Sequence, residues 1–576
     1  MRQLHLCLFA VLCVAASACL GAKSVECSDQ AQCDLSPGGT CVAAPAGSQW
    51  CAYPDLACPS GIRYSELDVG DGLSGACVAA TANSVSLTVL KDGFGTGTVS
   101  ASAPDRGEIF NCGMDCSGTV ESGSTVTLTA NVAQGGWFYG WSGGGCAGTG
   151  TCVTTISEAT TVTATFDECD RSAAEECDNT TNIYKQCSAD GRLGATMTCA
   201  MYCSATVEKC VDIDPSDDRA TSPLNAQMDM LASADQNLVF PNTCTAATCT
   251  IDTFDGQIVG ANTGGGAPSV VIPGVGRVFR VATMSISGVV KVRGNFALVV
   301  LAKGAVTIVG RLDASADMRF KGPGAETESE TCEGRFYRSA NTITPGAGGG
   351  GRSGRGAAGG NSNTGIVGTA GGAMVGDATL IPLLGGCNGG WVDESGGSSV
   401  TLLGAGGGAV QLVSRVGISI FGNGVIDVSG GGAPSGDYFS TTLILGGAGG
   451  GSGGSILLEA PAITLDGSGV ALSAKGGGGA AAGARGFDGA DGGYGPGVAN
   501  GGINPNGADG GAGGNETTGP LMGQSAQGAV ADGGGGGGSA GLCRLNSRDG
   551  AIILRNGPAI RCQRQTNTAF TERLLP

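Results

Sequence analysis

Three stretches of the chain share one grammar, and they constrain its fold more than anything else in it. In FALVVLAKGAVTIVGRLDASA, GAVQLVSRVGISIFGNGVIDVSGGG and GSILLEAPAITLDGSGVALSAKGGG, an apolar strand meets a short corner, a second strand, a small turn with glycine and a third short strand. Ile418 and Ile463 hold the same place in the second and third stretches, 45 residues apart. Each unit is too short to bury its own apolar face. Self-similarity at this scale with β-branched strands therefore predicts a solenoid, in which every unit is covered by its neighbour. VFRVATMSISGVVKVRG is expected to begin the stack and GAIILRNGPAIRC to end it.

Between the units run glycine-rich excursions. In GARGFDGADGGYGPG, residues 483–497, glycine recurs at every third position. A collagen strand has that period, but here it breaks at Val498 and Asn504 and few triplets carry proline. A calcium-binding β-roll needs tandem nonapeptides, and only one imperfect copy is present, around Asp488 and Asp491, with Asp509 further on. Two readings stay open: extended left-handed segments packed side by side, or a mobile glycine loop.

The 25 cysteines divide into 3 in the first 22 residues and then 6, 4, 6 and 6 in successive segments. Even clusters are what disulfides closed within modules leave behind in an oxidising compartment. The opening MRQLHLCLFAVLCVAASAC has one positive charge, an apolar run and small residues before Cys19, the pattern of a secretory signal over 1–22. ASAC also resembles a lipobox, with Cys19 as the lipidated residue. No later apolar run is long enough to span a membrane as a helix.

A formal charge of -18 repels polyanions and argues against nucleic acid as a partner. With 41% apolar residues, strongly clustered, the chain is expected to fold as modules. The expected fold is mainly β, with small disulfide modules, a β-grasp-like repeat and a glycine-rich parallel β-helix-like solenoid. Residues 23–80 form a first cysteine-rich module, 84–167 a β-repeat, 168–212 a second cysteine-rich module, 213–235 an acidic, proline-bearing linker, and 236–576 the solenoid. CAMYC, with Cys199 and Cys203, has a spacing that zinc could use; disulfides are the preferred reading.

In 84–167, VSLTVL, TVTLTA and TVTATF alternate apolar and hydroxyl side chains with period two. With GWFYGWSGGGCAGTGTC they resemble the bacterial surface repeat of internalin B, a compact β-grasp-like unit. That resemblance implies display on a cell surface, core positions for Phe138 and Trp141, and short loops closed by Cys112 with Cys116 and by Cys146 with Cys152. Trp137 is a candidate sugar platform. The cysteine-rich segment with WCAYPDLACPSGIRY and the region with LSAKGGGG, GGSILLEAPAITLDG and CRLNSRDG resemble secreted proteins of myxobacterial type, with no activity to carry over. In that last region Cys244 with Cys249, Cys332 with Cys387 and Cys543 with Cys562 are candidate pairs; spacing alone does not fix them.

His5, the only histidine, lies in the signal. Without it, Ser-His-Asp, Cys-His and histidine-ligated metal schemes have no base or ligand. Carboxylates remain, because glycoside cleavage needs only two acids and β-helices host such enzymes. Asp313, Asp427 and Asp466 are read as equivalent turn residues that satisfy backbone groups. The solenoid has one tryptophan, Trp391, and loop tyrosines Tyr438 and Tyr494 that could touch a ligand. No phosphate-cradling motif follows a strand. The expected role is a non-catalytic secreted or surface-anchored structural or adhesive protein without a cofactor. Its partner would be an extracellular polysaccharide or another surface component, and its only membrane contact a lipid anchor. The runner-up is a polysaccharide lyase or hydrolase.

Overall fold

A computed structural model describes residues 26–574 apart from 68, 80–83, 105, 113–115, 218–221, 263–265, 326–330, 340–342, 395–398, 401, 437–443, 485, 549, 551 and 566–570. The signal segment, Cys19 and Tyr438 lie outside the described residues. The protein is mainly β, with 37% strand and 3% helix. It divides into two compact units, one made of residues 1–178 and 183–198, the other of 179–182 and 199–576.

The first unit opens with a three-stranded sheet, Thr40–Ala43, Gln49–Pro54 and Ile62–Tyr64. Its core is little more than Trp50, Ala52, Tyr64, Val69 and Val78. Such a core is too small to hold alone, and Cys27–Cys41, Cys33–Cys51 and Cys58–Cys77 cross-link it. From Ser84 to Asp167, eight strands form two four-stranded sheets around one core that includes Leu87, Val99, Val126, Leu128, Val162 and Phe166. The period-two alternation places those side chains inward and the threonines outward. Trp141 is buried there, edge-on to the half-buried Phe138 at 5.0 Å, and its indole N–H donates to the Gly150 carbonyl at 2.7 Å. The expected second cysteine module is divided: residues 183–198 belong to the first unit, and 199–212 to the second.

The second unit is a three-faced parallel stack. Five successive coils each give one strand to each face, beginning with Gly276–Val281, Thr283–Ile286 and Val289–Arg293 and ending with Leu542–Asn546, Ile553–Arg555 and Ala559–Arg561. In-register ladders fill the interior: Phe279, Val300, Leu412, Leu458 and Leu545 on the first face, and Val290, Leu312, Ile426, Leu472 and Ile560 on the third. Burying each large side chain in such a ladder contributes about 1.5–3 kcal/mol. The stack begins earlier than VFRVATMS, because Asn237–Phe240 and Thr250–Asp252 already pair with the first coil.

The expected linker is instead a strap. Ser222 caps a short helix, Pro223–Asp229, by accepting from the Asn225 N–H. Leu224, Met228, Leu231 and Ala234 then pack with Ile213 onto Val299, Leu301, Val413 and Leu457, the outer side of the first face. That face is apolar on both sides and had to be covered.

All three excursions, residues 314–408, 428–454 and 474–541, leave after the third face and return to the first. They are packed, largely buried and almost without strands. Their backbone bonds repeat with period three. Gly476, Gly479 and Ala482 donate to Gly514, Gly511 and Ala508; Gly477, Ala480 and Gly483 donate to Gly451, Ala448 and Leu445; Gly478 and Ala481 donate to Ala490 and Phe487. One segment thus bonds three neighbours in turn, which is the screw of a polyproline II helix. Glycine is required where backbones meet: a methyl group on Gly535 would overlap the Ala448 carbonyl oxygen. Within 483–497 the backbone is locked in this way at its start, Gly483 donating to Leu445, and in its middle, Gly489 donating to Ala433, Ala490 to Asn500 and Gly492 to Gly430.

Candidate functional site

The third face ends its strands in a polar ladder. Asp313 and Asp427 are in register on neighbouring coils, and each is followed two residues later by serine. The Ser315 N–H and hydroxyl donate to Asp313 Oδ1 at 3.1 and 2.6 Å, and those of Ser429 to Asp427 Oδ1 at the same distances. This aspartate-turn geometry closes the corner from which each excursion departs. On the next coil Ser473 takes the aspartate's place, 3.0 Å from the Ser429 hydroxyl. Asp466 is not equivalent to this pair. It ends a strand of the second face, in register with Phe421 and Arg555, and accepts from the Asn556 amide at 2.6 Å. The expectation failed because both faces end a strand at aspartate, and only Asp466 is followed by glycine.

The two carboxyls are driven in opposite directions. Burial pushes Asp313 up, but the Lys291 charge at 3.0 Å, the Ser315 hydroxyl and Arg311 outweigh it and hold the group below the usual aspartate value. Asp427 is more deeply buried, and desolvation, with Asp313 adding to it, raises its pKa to about 6. Around them Lys475 donates from Nζ to the Gly495 and Gly497 carbonyls, both at 2.9 Å, and Arg311 lies 5.2 Å from the Tyr494 ring. Asp491 accepts from the Met318 and Gly432 N–H groups and Asp488 from Ser435, so these two tie bundle segments together, while Asp509 accepts from the Asn504 N–H and closes a turn within its own segment.

A second feature lies in the bundle. Phe336 and Trp391 stack at 4.8 Å and 5°, with the Arg338 guanidinium 5.4 Å from the tryptophan ring and 2.7 Å from the buried Asp393. The disulfide Cys332–Cys387 sets this up, since each aromatic follows its cysteine by four residues and Tyr337–Ser339 runs parallel to Val392–Glu394. CEGRF and CNGGW carry that spacing, a signal that reading Trp391 alone missed. On the 84–167 segment, Trp137 and Tyr139 point outward from an edge strand, and Arg171, held by two bonds to Asp167, covers Tyr139 at 3.8 Å.

The structure pairs Cys112–Cys116, Cys146–Cys152, Cys244–Cys249 and Cys543–Cys562. Cys199 bonds Cys210, and Cys203 is also in a disulfide, so CAMYC offers no thiolate pair.

Two facing sheets, a buried Trp141 and a tight Cys146–Cys152 loop now stand beside the sequence pattern. Residues 97–170 match the family model of the divergent InlB B-repeat domain. In the structure the B-repeat unit starts earlier, since Ser84–Asp92 lies between two strands of its second sheet. No curated protein and no solved structure matches the chain. The B-repeat and the disulfides mark a bacterial protein of the extracellular or cell-surface type.

Proposed function

We propose that the protein is a non-catalytic structural or adhesive component of a bacterial surface that carries its glycine bundle outward on the solenoid. One observation carries this reading: the carboxylates of the ladder are engaged by Ser315, Ser429 and Lys291 in closing corners, and the bundle beside them is held by backbone against backbone. Such a body is rigid at low side-chain cost and presents its rims and the stacked Phe336 and Trp391 to extracellular polysaccharide or another surface component, for which Trp137 and Tyr139 of the B-repeat unit are separate contact candidates. Cys19 would be its lipid anchor. A glycan-binding screen of the purified protein, with product analysis on the same polymers, tests it: binding without released sugar ends is expected, and steady release overturns it.

A second reading is favoured by the opposed pKa directions of Asp313 and Asp427, the division between base and acid found in glycosidases. On that reading Asp427→Asn abolishes release of sugar ends; on the first reading nothing is released and binding survives the change.

A further inference from the structure

We propose that the second face of the solenoid is a docking strip for a neutral, extended polysaccharide chain lying along the stack. The outer sides of the three faces are not covered alike. That of the first lies under the strap, with Val299, Leu301, Val413 and Leu457 buried. That of the third lies under residues 493–497: the Ser473 hydroxyl donates to the Gly493 carbonyl at 3.1 Å, Lys475 reaches the Gly495 and Gly497 carbonyls, and Asp313, Asp427 and Ser473 are buried. The outer side of the second face stays open. Ala305, Phe421 and Ala462 are exposed there, and Ser285, Thr307, Ser419 and Thr464 are half-buried.

Those four hydroxyls form one column. Ser285, Thr307, Ser419 and Thr464 pair rung to rung on the strands Thr283–Ile286, Val306–Ile308, Ile418–Phe421 and Ile463–Asp466, so they repeat at the strand spacing of about 4.7–4.9 Å. None of them bonds another group among the described residues, which leaves each able to donate once and accept twice. Ala305, Gly417 and Ala462 flank the column on one side and Val309 and Phe421 on the other. In a chain of net charge -18, residues 283–287, 305–309, 417–421 and 462–466 hold a single charged side chain, Asp466, which accepts from the Asn556 amide. A face without charge suits a partner without charge. Four rungs of five residues make a strip of about 19 Å by about 16 Å, or about 300 Å². A stable protein interface needs about 800 Å² on each partner, so the strip is too small for a second copy. A single glycan chain is narrow enough. Aligned with the stack, it meets one hydroxyl per rung, close to the advance of one sugar in an extended β-1,4 chain. Phe421, 43% exposed and two residues from Ser419, offers a ring for the apolar side of a sugar. This rests on the adhesive reading and gives it a contact surface distinct from Phe336 and Trp391.

Calorimetric titration of the full chain with cellohexaose, chitohexaose and polygalacturonate tests this. The expected result is binding of a neutral oligosaccharide that survives as salt shortens the screening length from about 10 Å at 0.1 M to about 3 Å at 1 M. The triple change Thr307→Val, Ser419→Ala, Thr464→Val removes three hydroxyls and keeps the strand shape; it should weaken binding at least tenfold with the circular-dichroism melt unchanged. Phe421→Ala should weaken it as well, and carries the test alone if the triple lowers the melt, whereas Phe336→Ala should leave it unchanged. Loss of binding in Phe336→Ala with Phe421→Ala and the triple unaffected overturns the strip and leaves the adhesive reading standing. Binding of neither neutral oligosaccharide overturns the strip too, whether or not polygalacturonate binds. Steady release of new sugar ends overturns the adhesive reading and the strip with it.

Discussion

Asp313 and Asp427 face each other in register across two coils, yet the first is held ionised by Lys291 and Arg311 while the second is raised to about 6 by burial. The raised group makes stability depend on pH. Folding favours protonated Asp427, so its stabilising contribution is full below about pH 4 and is lost as pH rises through about 6. Two pKa units correspond to roughly 3 kcal/mol. The urea midpoint of the second unit should fall between pH 4.5 and 7.5, and Asp427→Asn should flatten that fall. An unchanged slope in Asp427→Asn would refute the assignment.

Backbone contact in the bundle predicts a sharp contrast between two glycines of the same excursion. Gly535→Ala places a methyl group on the Ala448 carbonyl, which has nowhere to move, whereas Gly495 has nothing within 4 Å of the added atom. Gly535→Ala should cost about 3 kcal/mol or more and Gly495→Ala less than about 1. Thermal unfolding of the two variants measures the difference.

Asp212 holds two guanidiniums, Arg415 at 2.6 Å and Arg573 at 2.8 Å, and so ties the strand Lys209–Asp214 to the first face and to the strand Thr571–Leu574. Asp212→Ala strands Arg415, which is buried, and should cost about 3–5 kcal/mol. Arg573→Ala leaves Asp212 paired with Arg415 and should cost less. Denaturant titration of both variants gives the order.

Disulfide removal should track the loop that each bond closes. Cys332–Cys387 spans 55 residues and Cys112–Cys116 spans 4. Loop entropy then assigns about 4 kcal/mol to the first and about 2 to the second. Paired Cys→Ala changes, read by unfolding of the unit that holds each bond, test the ratio. Loss of the first should also separate Phe336 from Trp391, a change visible in tryptophan fluorescence.

Chelation should leave the second unit's melting unchanged, because Asp488, Asp491 and Asp509 already accept backbone or serine donors. A fall in its midpoint of more than about 10 °C, worth a couple of kcal/mol or more in a domain this large, would mean that an ion holds them.

By itself the sequence determined what each local stretch would become. Period-two alternation set the B-repeat strands of VSLTVL, TVTLTA and TVTATF, and the recurrence of Leu412 and Leu458 at one place in their units set the coil ladders, because a strand's pattern reports which of its sides are buried. In sequence the strap reads as a linker, because acidic, proline-bearing residues precede Leu224, Met228 and Leu231, whose helical spacing is the signal that this reading passes over. Only the tertiary structure decided which segments meet. Glycine every third residue says that a chain can be approached closely on one side, but every such segment is alike. Neither Gly477 nor the methyl group of Ala480 carries anything that selects Gly451 or Ala448 as the partner. Asp466 and Asp427 likewise end similar strands, and only the stacking of coils places one beside Arg555 and the other beside Asp313. Local pattern fixes which face a residue turns, whereas the neighbour across that face is chosen by the closure of the whole stack.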